Sequence, residues 1–274
     1  MPIFGLIVST AVFAATIETT PLGRRVALDG GAATLFVPHG FSARDGTTID
    51  LLLHLHGASR FVEPAFIDVN WPSAVLVEFT RQGLSSVYTK PFSDPALFPR
   101  LLRAALSAAK EVGLAEEPRL GRVVVSSFSA GFGGVRELLK VPESYNRIDG
   151  LVMADSIYCG YDGDPSLHKV DAVLMTGFRH FAAESADGKK AFLLTHSALV
   201  PDGYASTGEA ADHLIGAVGG KPREDKIDWG GGWIQTRSLS KGRFLVLGFA
   251  GAAGPDHAAH LREIAKLWKR FREL

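Results

Sequence analysis

A single cysteine, Cys159, leaves no partner for an intramolecular disulfide and rules out a cysteine-rich metal site. Its expected place is in or near a core. Charge of one sign is also lacking, with 29 Lys and Arg against 29 Asp and Glu. A nucleic-acid partner would ask for a basic face, and none is expected here. Long hydrophobic runs are scarce. The longest, Ile3 to Ala15, has the length of a signal-peptide core and is too short for a comfortable membrane-spanning helix, so no stable membrane span is expected. Val12-Phe13-Ala14 offers small residues for cleavage after Ala14. No Lys or Arg precedes the run, so a buried first strand or a misassigned start competes with this reading. Residues 1–15 are read as a signal peptide and the product as secreted or periplasmic, or cytoplasmic if the run is a structural strand. No repeat or low-complexity linker interrupts the rest, so 16–274 reads as one domain.

What is present has globular composition, 46% hydrophobic and 21% charged. Strands at 17–28 and 33–38 flank Asp29-Gly30-Gly31, a hairpin signal. Further strands are expected at 48–56 and 72–79, followed by a polar loop over 80–94. Leu97, Leu101, Leu102, Ala105 and Ala109 recur at helical spacing and predict an amphipathic helix over 95–112. Strands at 148–154 and 191–195 alternate with helices at 166–180 and 206–218. A hairpin joins 233–239 to 243–247, and a helix from about 257 to 271 closes the chain. This alternation predicts an α/β fold: a mostly parallel central sheet with helices on both faces and antiparallel strands at the N-terminal edge.

The chain is organised around Val123 to Val135. A β-branched run leads into Ser127-Phe128-Ser129-Ala130-Gly131, and a helix follows. A serine on a sharp strand-to-helix turn between small residues is the arrangement of a nucleophile elbow. The competing reading is a serine that only caps a helix. An open α/β sheet places its site beyond the carboxyl ends of the strands. The polar residues there are His54, His56, Ser129, Asp155 and His196, then Asp256, His257 and His260. His54-Leu55-His56 would suit a metal only with further ligands and an eight-strand repeat, which the chain lacks. No metal and no cofactor is expected.

His54-Leu-His-Gly-Ala58, Ser127-Phe-Ser-Ala-Gly131, Asp155 and Gly254-Pro-Asp-His257 together resemble the α/β-hydrolase fold family, the serine esterases and lipases in particular. The resemblance covers roughly 48–274. It implies Ser129 as nucleophile, Asp155 as acid and His257 as base. It also implies oxyanion donors from the Ala130 amide and from Ala58, or else Gly57. The family more often carries its acid one strand later, where Asp202 is the rival; His260 is the rival base. Asp256 is expected to cap the last helix. His54 and His56 are expected to share a face, with His56 shaping the oxyanion loop. His56 and Tyr158 are assigned to substrate binding, and Phe128, Tyr88, Phe92 and Trp233 are further candidate walls. The expected reaction is hydrolysis of a small-molecule or polymer-linked carboxylic ester. An amidase, peptidase or acyltransferase using the same site, or a catalytically silent binding protein, are the alternatives.

Overall fold

In the computed structural model, which describes residues 17–274, eleven strands pair into one sheet; the leader expected at 1–15 lies outside the described residues. The strands are β1 (Ile17–Thr19), β2 (Gly23–Leu28), β3 (Ala33–Pro38), β4 (Thr48–Leu55), β5 (Ala74–Phe79), β6 (Arg119–Phe128), β7 (Gly150–Ala154), β8 (Ala191–His196), β9 (Arg223–Asp228), β10 (Ile234–Lys241) and β11 (Phe244–Phe249). The helices are α1 (Ser59–Val69), α2 (Ser86–Phe92), α3 (Leu97–Glu111), α4 (Phe132–Leu138), α5 (Pro142–Arg147), α6 (Thr176–Ala186), α7 (Thr207–Ala217), α8 (Gly254–Arg262) and α9 (Ile264–Arg272). The spatial order is β1-β2-β3-β5-β4-β6-β7-β8-β11-β10-β9. From β5 to β11 every pairing is parallel; the pairings outside them are antiparallel.

The central strands are mostly apolar and buried because both faces are covered. On β4, Leu51, Leu53 and Leu55 pack with one buried layer and Leu52 with the other. On β6, Val123 and Val125 face the first layer and Val124 the second. The first layer takes its helical side chains mainly from α2, α3, α4, α6 and α7, including Tyr88, Leu101, Val135, Phe178 and Leu214. The second takes them from α1, α8 and α9, including Phe66, Ala259, Trp268 and Phe271.

Several boundaries differ from expectation for local reasons. The polar loop at 80–94 contains α2, because Tyr88 and Phe92 stand one turn apart and both are buried. The helix expected at 166–180 begins only at Thr176. Before it, the Asp171 carboxylate accepts the amides of Val173 and Leu174 at 2.8 and 3.2 Å, a local turn that competes with helix. The charged strand β9 has no alternating apolar face to announce it, and it lies at the sheet edge. The last helix starts three residues early, at Gly254, and breaks at Glu263. Asp256 is therefore not its N-cap; it accepts the amide of Ala253 at 2.9 Å from within the first turn.

The turn after β6 lies hard against β4. A Cβ on Gly131 would sit 2.5 Å from the Leu55 carbonyl oxygen, closer than any such contact allows. Gly131→Ala is expected to cost about 1–3 kcal/mol through forced backbone movement, read by urea unfolding.

Candidate active site

The carboxyl ends of β4, β6 and β7 each carry a non-glycine residue in left-handed backbone: His56 (φ 68°), Ser129 (φ 47°) and Asp155 (φ 45°). Such geometry costs about 1–2 kcal/mol per residue. Phe128 is still extended, and a short 3₁₀ turn over Ser129–Gly131 leads into α4. This is the strained strand-to-helix turn that the sequence implies. Ser127 is not merely small. Its hydroxyl pairs with that of Ser156 at 2.6 Å, and Ser156 donates to the Ser129 carbonyl at 2.9 Å. That carbonyl is thereby tied to the chain following β7.

Asp155 is fully buried and accepts four hydrogen bonds. Ser197 donates its amide at 3.0 Å and its hydroxyl at 2.7 Å. Thr207, the first residue of α7, donates its hydroxyl. His257 Nδ1 lies 2.7 Å from the second carboxylate oxygen. Burial opposes ionisation. The His257 hydrogen bond, the neighbouring His260, and the Thr207 hydrogen bond together outweigh it and hold the carboxyl well below the usual aspartate range. With Nδ1 given to Asp155, the lone pair of His257 resides on Nε2. Asp202 is exposed and takes no part in this network.

His260 is drawn away from the site. It is completely buried edge-on against the stacked rings of Trp233 and Phe249, its Nδ1 is 2.7 Å from the Thr195 hydroxyl, and burial pushes its pKa down to about 4. His196 is held neutral, its Nδ1 facing the Ser197 carbonyl and its Nε2 accepting from Arg237. Burial, then the Arg237 charge, lowers its pKa.

Ser129, Ala130 and His257 line one cleft of about 470 Å³, together with Phe132, Arg136 and Tyr158. Leu84, Leu199 and Tyr204 complete its apolar wall. The Tyr158 hydroxyl is 3.4 Å from His257 Nδ1, and burial, then the charge of Asp155, pushes its pKa upward. Two residues assigned to this site, His56 and Ala58, do not line the cleft. His56 and His54 do not share a face either, since the left-handed turn at His56 redirects it. His54 pairs with Ser126 beside Trp268, and burial lowers its pKa to about 3. His56 pairs with Tyr88 at 2.9 Å. Phe128 is sandwiched between the His56 and His257 rings, with centroids 5.9 and 4.6 Å away. Ala58 precedes α1, its carbonyl accepting the first helical amides. Of the other expected walls, Tyr88 and Phe92 are core, and Trp233 stacks on Phe249. Another cavity of about 480 Å³ lies against β9–β11, and none of its lining residues is a histidine or a carboxylate. No group of three or more potential metal ligands occurs among the described residues.

No protein-family model and no curated protein sequence matches the chain. Its structure aligns with an enterobactin esterase from Shigella flexneri over 96% of this chain and 60% of that one, at 13% identity and a TM-score of 0.52. It aligns with ferric enterobactin esterase from Salmonella typhimurium over 96% and 59%, at 9% identity and a TM-score of 0.52. This chain has the α/β-hydrolase fold. It spans about 60% of the length of those two chains. A cold-adapted esterase from an Arctic intertidal metagenomic library also aligns, over 94% of this chain and 99% of that one, at 11% identity and a TM-score of 0.49. Within this α/β-hydrolase fold, the buried acid follows the strand next to the elbow strand, and the hydroxyls that hold it come from the residue just after the next strand, β8, and from the first residue of α7. Sequence reasoning missed Ser197 and Thr207. The only available signal was a hydroxyl-rich strand end with no carboxylate of its own.

Asp155 has a depressed pKa when folded, so its contribution to stability is complete above the ordinary aspartate pKa of about 4. That contribution declines as pH falls towards the folded value. Thr207→Val removes one donor to the charged form and brings the folded pKa back up. The variant is expected to lose about 2 kcal/mol at pH 7. Its acid-unfolding midpoint, followed by circular dichroism, should lie at a higher pH than that of the wild type.

Proposed function

We propose that this chain is a serine hydrolase that cleaves a carboxylic ester through an acyl-enzyme on Ser129. The observation that carries the reading is the 2.7 Å contact between His257 Nδ1 and the buried Asp155 carboxylate, made beside a strained serine lining the same cleft. The esterase names of the similarly folded proteins favour an ester as the bond cleaved.

A serine hydroxyl is a weak nucleophile at neutral pH and needs a base. On this reading His257 Nε2 takes the Ser129 proton as Oγ attacks the carbonyl carbon, and the carbonyl oxygen becomes an oxyanion. Asp155 keeps Nδ1 protonated and stabilises the imidazolium. The Ala130 amide, at the start of a helical turn, faces the developing charge. A second donor is assigned to the Gly57–Ala58 turn, which the contact between Gly131 and Leu55 brings next to the elbow. Each such donor is worth about 3 kcal/mol. Collapse of the intermediate expels the alcohol, which takes the proton from His257. Water then repeats the sequence on the acyl-enzyme and releases the acid.

No helix among the described residues is long and apolar enough to cross a membrane. Export through residues 1–15 belongs to this proposal.

Ser129→Ala and His257→Ala are each expected to abolish hydrolysis of p-nitrophenyl butyrate, because the three residues act as a unit. Asp155→Asn should reduce kcat on the order of 10⁴-fold. Asp202→Asn should stay close to wild type, and His260→Ala should cost far less than His257→Ala. A fluorophosphonate should label the wild type at Ser129 and leave Ser129→Ala unlabelled. Wild-type protein that neither takes the label nor turns over esters would be a silent binding protein. Faster cleavage of matched anilides than of esters would make it an amidase.

A further inference from the structure

Arg136 is the only lysine or arginine on the cleft wall, and no carboxylate lines that cleft. It stands on α4, seven residues beyond Ser129. Helical side chains lean towards the helix N-terminus, and this one does so. Its guanidinium carbon lies 5.4 Å from the centroid of Phe132, one turn back towards the elbow. The side chain is only 19% exposed, and its Nε is buried with no hydrogen-bond partner. The one carboxylate within 4 Å is Glu137, 3.9 Å from Nε, and both of its oxygens are held by Lys140 at 2.7 and 2.8 Å.

A guanidinium offers five donors. Leaving them partly desolvated and unpaired costs free energy, which an anion arriving from outside would offset through charge-assisted, forked hydrogen bonds. The other walls, Phe132, Leu199 and Tyr204 among them, lower the local dielectric and strengthen that pairing. We propose that Arg136 is a specificity residue that binds an anionic group of the substrate, so that the preferred esters carry a carboxylate in reach of α4. This inference rests on the ester-hydrolase reading.

The carboxylate has two sources, the acyl half or the alcohol half of the ester, and matched pairs separate them. In the acyl arm, mono-p-nitrophenyl adipate is compared with its terminal carboxamide. In the alcohol arm, the butyrate ester of 4-hydroxyphenylacetate is compared with that of 4-hydroxyphenylacetamide. In one arm the wild type should favour the carboxylate by about tenfold in kcat/KM, the size of one charge-assisted hydrogen bond. Arg136→Met, which keeps an apolar stem over Phe132, should bring that ratio to about one, and Arg136→Lys should retain part of it. The ratio is internal to each variant, so a general loss of fold or turnover does not imitate the effect. No preference in either arm, or a preference that survives Arg136→Met, overturns the proposal while leaving ester hydrolysis standing. No turnover of charged or neutral esters by the wild type overturns the ester reading and this inference with it.

Discussion

A carboxylate with no access to water must be surrounded by donors or give up its charge, and Asp155 is fully buried. Its four donors come from three places: the residue after β8, the first residue of α7, and His257 in α8. Satisfying one side chain therefore fixes how the two segments after β8 and the segment after β11 return over the sheet. The left-handed backbone at Asp155 follows from the same demand, because it aims the carboxylate across the strand ends. The bond to His257 then leaves the lone pair on the other ring nitrogen. The tautomer that the proposed base would need comes from the requirement to solvate a buried charge.

The second constraint is steric. The turn after β6 presses against β4 so closely that only glycine fits at 131. That pressure holds Ser129 in a conformation it would otherwise avoid. Phe128, just before it, fills the space between two imidazoles. The ring supports His257 from below, and His56 supports Phe128 from beyond, anchored by Tyr88. His56 thus affects the geometry of the proposed base through a stack of rings, without reaching the cleft. The hydroxyls of Ser127 and Ser156 secure the elbow from its other side.

Electrostatically, the cleft is unbalanced. Positive charge resides on Arg136, the acid that could have neutralised it is engaged by Lys140, and the buried Asp155 charge is spent on its own donors. Around that cation lie aromatic and aliphatic walls, the setting on which the proposed recognition of a charged ester depends.

The sequence by itself determined the class of the fold and the strand ends that matter. The apolar runs Leu51–Leu53 and Val123–Val125 require a sheet covered on both faces, and small residues around Ser129 require a tight turn after it. These are local consequences of periodicity and residue size. The tertiary structure alone decided which residues meet. Asp155 and His257 are 102 positions apart, and the distance between them depends on the path of every element in between. His257 and His260 look alike in sequence, yet one lines the cleft and the other packs edge-on against the stacked Trp233 and Phe249 rings, because α8 begins at Gly254 and sets their rotation. His54 and His56 look paired in sequence, yet a left-handed turn parts them. Ser197, Thr207 and Arg136 have no motif. Their roles arise from burial and from which partners remain unsatisfied, and burial is a property of the packed chain.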